Sequence, residues 1–334
     1  MVLGQRRVTG ILSIPSLLSK LARIPLGGQR IYWDFGQARA RADEVAWLCC
    51  RDWPRSSTLG RRGRCQVDCH CHAGKGDGLT GPWDTAAPIG PHLVRAARAG
   101  IDRTVIFAAF HSDYAVANRE VARLVASRPD RLYGFAFVHA DRDRGRVHDL
   151  VRTAVERYGF VGLKLHRHDA RITREVCEVA RGFSLPVLYD PVGEVTVAEL
   201  LAAEYPDVAF IFAHLGSFAD DWRAQLALID HLARHSNLHA DTAGVRRFDL
   251  LEEAIRRAGP RKLLFGSDGP WLHPAVELAK IRALGLAPAD EALVLGGNLL
   301  RLIAGVRRRP TRTVTVTPAA VRPAEELRDP WLSR

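Results

Sequence analysis

Eight short runs of apolar, β-branched and aromatic residues, separated by amphipathic stretches of helical period, predict an α/β chain built as a (β/α)₈ (TIM) barrel. The repeat occupies residues 65–304, the usual size of one such barrel at about 250 residues. Two further observations support this over an open doubly wound sheet. His and Asp side chains recur at the C-terminal ends of successive runs, where a barrel gathers its chemistry. The glycines after the first run, in His72-Ala73-Gly74-Lys75-Gly76-Asp77-Gly78, lack the G-x-G-x-x-G spacing of a dinucleotide-binding turn, open a loop rather than a helix, and read as a flexible lid.

The strand candidates are 65–70, 104–110, 133–139, 160–166, 186–190, 208–214, 237–241 and 262–267. Helix candidates 91–99, 115–127, 145–158, 173–182, 195–205, 220–235 and 250–258 lie between them, several closed by Gly or by a following Pro. Residues 1–64 fit no βα unit. They hold scattered aromatics, the pair Cys49-Cys50 and the basic run Arg61-Arg62-Gly63-Arg64, and are expected to be an extension outside the barrel. Residues 305–334, with Arg307-Arg308-Arg309-Pro310, are expected to form a short basic tail.

Charge follows the same division. The net charge of +11 separates into +8 for residues 1–64 (12 basic, 4 acidic), +4 for 305–334 (7 and 3) and −1 for the remainder (29 and 30). A near-neutral domain with Arg-rich ends argues against a nucleic-acid-binding face in the fold. No uninterrupted apolar run of about 18 residues predicts a membrane span. Arg6 and Arg7 precede an apolar stretch at 8–18, but Pro15 interrupts it, Lys20 and Arg23 follow, and no A-x-A cleavage pattern appears. Cys49, Cys50, Cys65, Cys69, Cys71 and Cys177 lack the spacing of a disulfide framework and read as reduced thiols. A cytoplasmic enzyme with a small-molecule partner, and a candidate homodimer, is the expectation.

At the strand ends, Asp68, His70 and His72 alternate onto one strand face, so His70 and His72 can share a metal. Later strands end at His166, Asp190, His214, Asp241 and Asp268, giving one rim the ligand types expected for Zn²⁺ or another divalent ion. His166, Arg167 and His168 lie where loops hold substrate groups, which suggests an anionic substrate. Trp83 and Trp271 are candidate pocket walls. Asp241 is expected to hydrogen-bond a ligand, and Lys164 to pair with a rim carboxylate. His92, His148, His231 and His235 fall in helix candidates remote from the rim and receive no role.

In order, Val67-Asp68-Cys69-His70-Cys71-His72, Gly162-Leu163-Lys164-Leu165-His166, Leu185-Pro186-Val187-Leu188, Ala213-His214-Leu215-Gly216, Ala240-Asp241-Thr242, Phe265-Gly266-Ser267-Asp268-Gly269-Pro270 and Asn298-Leu299-Leu300-Arg301-Leu302 resemble amidohydrolase family 2. The resemblance implies a metal-dependent (β/α)₈ hydrolase, with decarboxylases of the aminocarboxymuconate-semialdehyde or resorcylate type among its relatives. It places one divalent ion, Zn²⁺ foremost with Mn²⁺ or Fe²⁺ as alternatives, on His70, His72, a fifth-strand residue and Asp268. The fifth-strand ligand is His in the family and Asp190 here, a more oxygen-rich donor. The resemblance gives His214 the role of polarising or protonating the substrate, and Asp268 then serves also as proton acceptor. Other superfamily branches further suggest a carbamylated Lys164 bridging two metals. The expected activity is hydrolysis of a small amide, ester or lactone. A non-oxidative decarboxylase and a non-catalytic binding or scaffold barrel are the alternatives.

Overall fold

The computed structural model describes residues 65–79, 86–218 and 221–306. The extension at 1–64, most of the basic tail and Trp83 lie outside them.

Eight parallel strands follow one another around the sheet: β1 (Val67–Lys75), β3 (Arg103–Ala108), β4 (Leu132–Phe137), β5 (Gly162–His166), β6 (Val187–Asp190), β7 (Phe210–Phe212), β8 (Leu238–Asp241) and β9 (Leu263–Leu264). A two-residue strand, β2 (Ala86–Ala87), pairs antiparallel with the end of β1. The segment after β9 returns to β1. The Cys69 N–H donates to the Phe265 carbonyl at 2.9 Å, the His72 N–H to the Gly269 carbonyl at 2.6 Å, and Cys71 bridges Gly269. These contacts close the ring, and the fold is a TIM barrel.

A helix follows each parallel strand: α1 (Ile89–Ala99), α2 (Tyr114–Ser127), α3 (Val147–Tyr158), α4 (Arg174–Phe183), α5 (Val197–Glu204), α6 (Trp222–Arg234), α7 (Phe248–Ala258) and α8 (Pro274–Ala283). Their entries are set locally. Asp113 accepts from the N–H groups of Ala115 and Val116 at 2.8 and 3.2 Å to start α2, and Asp221 accepts from that of Ala224 at 3.0 Å to start α6. The helices turn apolar stripes inward, such as Val147, Val151, Ala154 and Val155 of α3, all buried. No helix among the described residues is long and apolar enough to cross a membrane.

The barrel is filled rather than hollow. The Phe107 ring lies 5.2 and 4.6 Å from those of His70 and His72, and Lys164 Nζ sits 4.9 Å above its face. Gly162 pairs in register with Phe135, and a β-carbon there would stand 2.5 Å from the Phe135 ring. The absent side chain of one strand is thus the seat of a large one on its neighbour.

Three sequence expectations change. The first strand runs through to Lys75 instead of ending at His70, with its register to β3 shifting between Asp68 and Cys71. That bulge breaks the two-residue alternation, so Asp68 does not share the face of His70 and His72. The chain after β9 is helical, adding α9 (Pro288–Ala292) and α10 (Asn298–Ile303) to α8. Asn298, at the start of α10, donates from Nδ2 to the carbonyls of Pro260 and Leu263, both at 2.8 Å, and so ties this helix to the short β9.

Gly162→Ala should destabilise the fold by about 1–3 kcal/mol through overpacking against Phe135. In chemical denaturation the loss should shrink when Phe135→Leu is added; strict additivity would show the contact is not the cause. His239 on β8 is buried with Nδ1 unpartnered, and burial, with the charges of Lys262 and Arg301, lowers its pKa to about 3. The unfolded chain therefore binds the extra proton below about pH 6.5, and stability is lost as pH falls. The loss from this group between pH 6.5 and 5 should be about 2 kcal/mol, and His239→Gln should remove that part of the pH dependence of Tm.

Candidate metal centre and active site

The strand ends assemble the site at one rim. His70 and His72 come from β1, His166 from the end of β5, Asp190 from the end of β6 and Asp241 from the end of β8. His214 follows β7 in a tight turn, and Asp268 follows β9. His214, Leu215 and Asp268 all adopt left-handed backbone, with φ of 57, 53 and 53°. Such conformations cost about 1–3 kcal/mol each in non-glycine residues and persist only where surroundings enforce them. Hydrogen bonds supply that enforcement. Asp241 Oδ1 accepts from the His214 N–H at 2.9 Å, while Asp68 accepts from the N–H and hydroxyl of Ser267, beside Asp268, at 2.9 and 2.5 Å.

Hydrogen bonding also fixes the imidazoles. His70 Nδ1 donates to Asp241 Oδ2 at 2.7 Å and His72 Nδ1 to the Ala108 carbonyl at 3.1 Å, so each presents the lone pair of Nε2. Those two Nε2 atoms lie 3.6 and 3.7 Å from Asp268 Oδ1. Burial pushes both imidazoles well below the ordinary histidine range, reinforced at His70 by Lys164 and His214 and at His72 by His70 and Lys164. Burial also raises the Asp268 carboxyl to about 7, against the pull of His214 and Lys164.

Two neutral lone pairs therefore face one carboxylate oxygen beyond hydrogen-bond reach, an arrangement that a shared cation satisfies. Donors bound tetrahedrally at about 2.1 Å stand about 3.4 Å apart, close to the separations here. His70, Asp268 and His214 bring donor atoms within 4.8 Å of one another, a set that fits a divalent ion, and His72 adjoins it through Asp268.

Asp190, the expected fourth ligand, faces two imidazoles. His166 Nδ1 accepts from the His168 N–H at 3.0 Å, so its Nε2–H is the one that donates to Asp190 Oδ2, at 3.1 Å. His214 Nδ1 donates to the Ala243 carbonyl at 2.8 Å, and its Nε2 faces the same Asp190 oxygen at 3.4 Å. Burial alone would raise the Asp190 carboxyl, yet His166 and His214 together hold it well below the usual range. Burial works against the His214 imidazolium, but the Asp190 contact and the neighbouring carboxylates lift its pKa to about 9.

The rim opens into a cavity of ≈ 420 Å³ lined by His72, His166, Asp190, His214 and Asp268 on one side and by Phe110, Phe218, Trp271 and Leu272 on others. Trp271 lines the cavity, its ring 4.4 Å from that of His72. His166 lines the cavity as well. His168 is not among the lining residues; its ring lies 5.7 Å from that of Phe110. Arg167 turns away into a two-pronged ion pair with Glu194, at 2.7 and 2.8 Å, which removes the reason to expect an anion there. Phe110 and Phe218 were not anticipated as walls, although Phe110 ends the second predicted strand and Phe218 lies four residues past His214.

Two further expectations are corrected. Lys164 pairs with no rim carboxylate. Its Nζ is fully buried without a hydrogen-bond partner, influenced by Asp190, Asp241 and Asp268 only through their charges. His92 is not remote: it is fully buried, and its Nε2 lies 3.6 Å from Asp68 Oδ2.

Comparison with known proteins bears on the barrel that carries these residues. No curated protein sequence matches the chain. Among solved structures, 5-carboxyvanillate decarboxylase from Sphingomonas paucimobilis is 14% identical with a TM-score of 0.58, the alignment covering 72% of this chain and 99% of that one. A dihydroxybenzoic acid decarboxylase from Polaromonas, with bound manganese and the inhibitor 2-nitroresorcinol, is 16% identical with a TM-score of 0.54, covering 72% and 97%. A probable 2-pyrone-4,6-dicarboxylic acid hydrolase from Acinetobacter baumannii, with citric acid bound, is 16% identical with a TM-score of 0.56, covering 72% and 99%. These likenesses establish the shared barrel. The family model for amidohydrolases matches residues 67–303, from the first residue of β1 to the last of α10. By that match, which spans the whole barrel and every rim residue described above, the chain belongs to the amidohydrolase-2 family.

Proposed function

We propose that this protein is a metal-dependent hydrolase that cleaves a small, flat ester, lactone or amide. One observation carries the reading: a carboxyl suited to take a proton, Asp268, and an imidazole suited to give one, His214, face the same aromatic-walled cavity. Hydrolysis uses both functions, one on the attacking water and one on the departing group.

His70, His72 and Asp268 would hold the divalent ion, Zn²⁺ or, as in the Polaromonas neighbour, manganese. When bound, the ion supplies Lewis-acid polarisation of the carbonyl and lowers the pKa of the attacking water. Asp268 accepts the proton that the water releases. His214, its Nδ1–H fixed on the Ala243 carbonyl, presents Nε2 to the cavity and donates to the substrate oxygen. Asp190 keeps that imidazole protonated and is itself held by the Nε2–H of His166 and by the Val192 N–H at 2.9 Å. In this reading Asp190 positions the acid rather than binding the ion, which accounts for a carboxylate where the family carries a His. Trp271, Phe110 and Phe218 enclose a planar substrate and exclude water.

The aromatic walls and two decarboxylase neighbours favour a second reading, non-oxidative decarboxylation, in which the same groups would protonate a ring carbon. Assaying lactones, esters and amides beside phenolic carboxylates, with CO₂ detection, separates the two. Release of CO₂ with no turnover in the ester and amide panel rejects hydrolysis.

Chelation should abolish turnover and Zn²⁺ or Mn²⁺ should restore it. Less than about a tenth of an equivalent of metal, with no binding on titration, would leave only a scaffold role. Asp268→Asn should lower kcat by at least about 10³-fold, within the range for a lost proton carrier. Asp190→Asn should lower kcat by about 10²-fold with metal content unchanged. Loss of the ion from that variant would instead make Asp190 a ligand.

A further inference from the structure

We propose that Asp68, Cys71 and His92 form a second, structural metal site, buried behind the rim and distinct from the one built on His70, His72 and Asp268. All three side chains are 0% exposed. The bulge between Asp68 and Cys71 brings these two residues of opposite parity to one side of β1, and α1 delivers His92 to the same point. Cys71 Sγ lies 3.2 Å from Asp68 Oδ2 and 3.3 Å from His92 Nε2, and the latter two atoms are 3.6 Å apart. Sulfur, nitrogen and oxygen donors on one tetrahedral Zn²⁺ stand about 3.3–3.6 Å apart. Ser267 Oγ, 3.5 Å from the sulfur and hydrogen-bonded to Asp68, occupies the fourth side.

Charge and hydrogen bonding point the same way. A thiolate, a carboxylate and a neutral imidazole neutralise a dication, and the complete burial of all three leaves no solvent-open position of the kind a catalytic zinc keeps. His92 Nδ1 is buried with no hydrogen-bond partner, so Nε2 carries the ring's whole polar satisfaction. A thiol is a poor partner for that task, and a metal bond is a strong one. Gly269 makes room for the ring: a β-carbon there would stand 2.1 Å from His92 Cε1. An ion here would tie β1, α1 and the segment beside Asp268 into one unit.

The test uses the full chain expressed in cobalt-supplemented medium. None of the described rim donors is sulfur, so a near-ultraviolet thiolate-to-cobalt charge-transfer band that depends on Cys71 and His92 reports the proposed site. Expected are two cobalt ions per chain and that band. Cys71→Ser and, separately, His92→Gln should each lose the band and one ion while keeping the other, and Cys69→Ser should keep both. A wild-type protein with no thiolate band, meaning the three residues form only a hydrogen-bonded network, overturns the proposal. So does a band that survives in Cys71→Ser or His92→Gln. The wild-type spectrum decides even if one variant fails to fold.

Discussion

One buried carboxylate organises the rim. Asp241 receives His70 Nδ1 on one oxygen and the N–H groups of His214 and Ala243 on the other, at 2.7, 2.9 and 3.0 Å, so a single side chain from β8 joins β1 to the turn after β7. Its acceptor-only chemistry decides which His70 nitrogen carries the proton, and so which end of the ring meets a cation. The same carboxylate holds His214 in a backbone conformation that a histidine would otherwise leave. Position, tautomer and strain at the site therefore rest on one group, and removing it would orphan three buried donors at once.

Around that anchor the rim balances buried charge. Asp190, Asp241 and Asp268 are all nearly or fully enclosed, with Lys164 among them and four histidines, His70, His72, His166 and His214, directed at their oxygens. Isolated, each charge would be costly in a poorly solvated interior; in company, each sets the protonation of its neighbours. Asp190 and His214 settle as an ion pair, whereas Asp268, lacking a close donor, is raised toward neutrality. Two similar carboxyls a few residues' reach apart thus take opposite roles because only one has imidazole N–H groups to receive.

Much of this was legible in the chain. The eight strands show as apolar runs because a barrel strand is buried on both faces, and the rim residues show because they fall where those runs stop. The β1 bulge was not legible, since an extra residue in a strand has no side-chain signature. Missing it put Asp68 on the wrong face and hid its meeting with Cys71 and His92. Arg167 was misplaced for a related reason: its partner Glu194 lies 27 residues away, and only the packed loops bring them together. Asp190 reads as a substituted ligand in sequence, and its contact with His166, level with it in the β5–β6 register, shows only once the strands are paired. The helices after β9 escaped because no further strand follows to mark off the amphipathic stretch.

The ring closes through its shortest arc. β9 has two residues, and the backbone bonds that complete the circle run from Phe265 and Gly269, on either side of Asp268, to the strand that bears His70 and His72. A ligand bridging those side chains would span a seam. Occupancy would then act as a latch on topology, coupling the affinity for a small ion to how often the two ends of the sheet part.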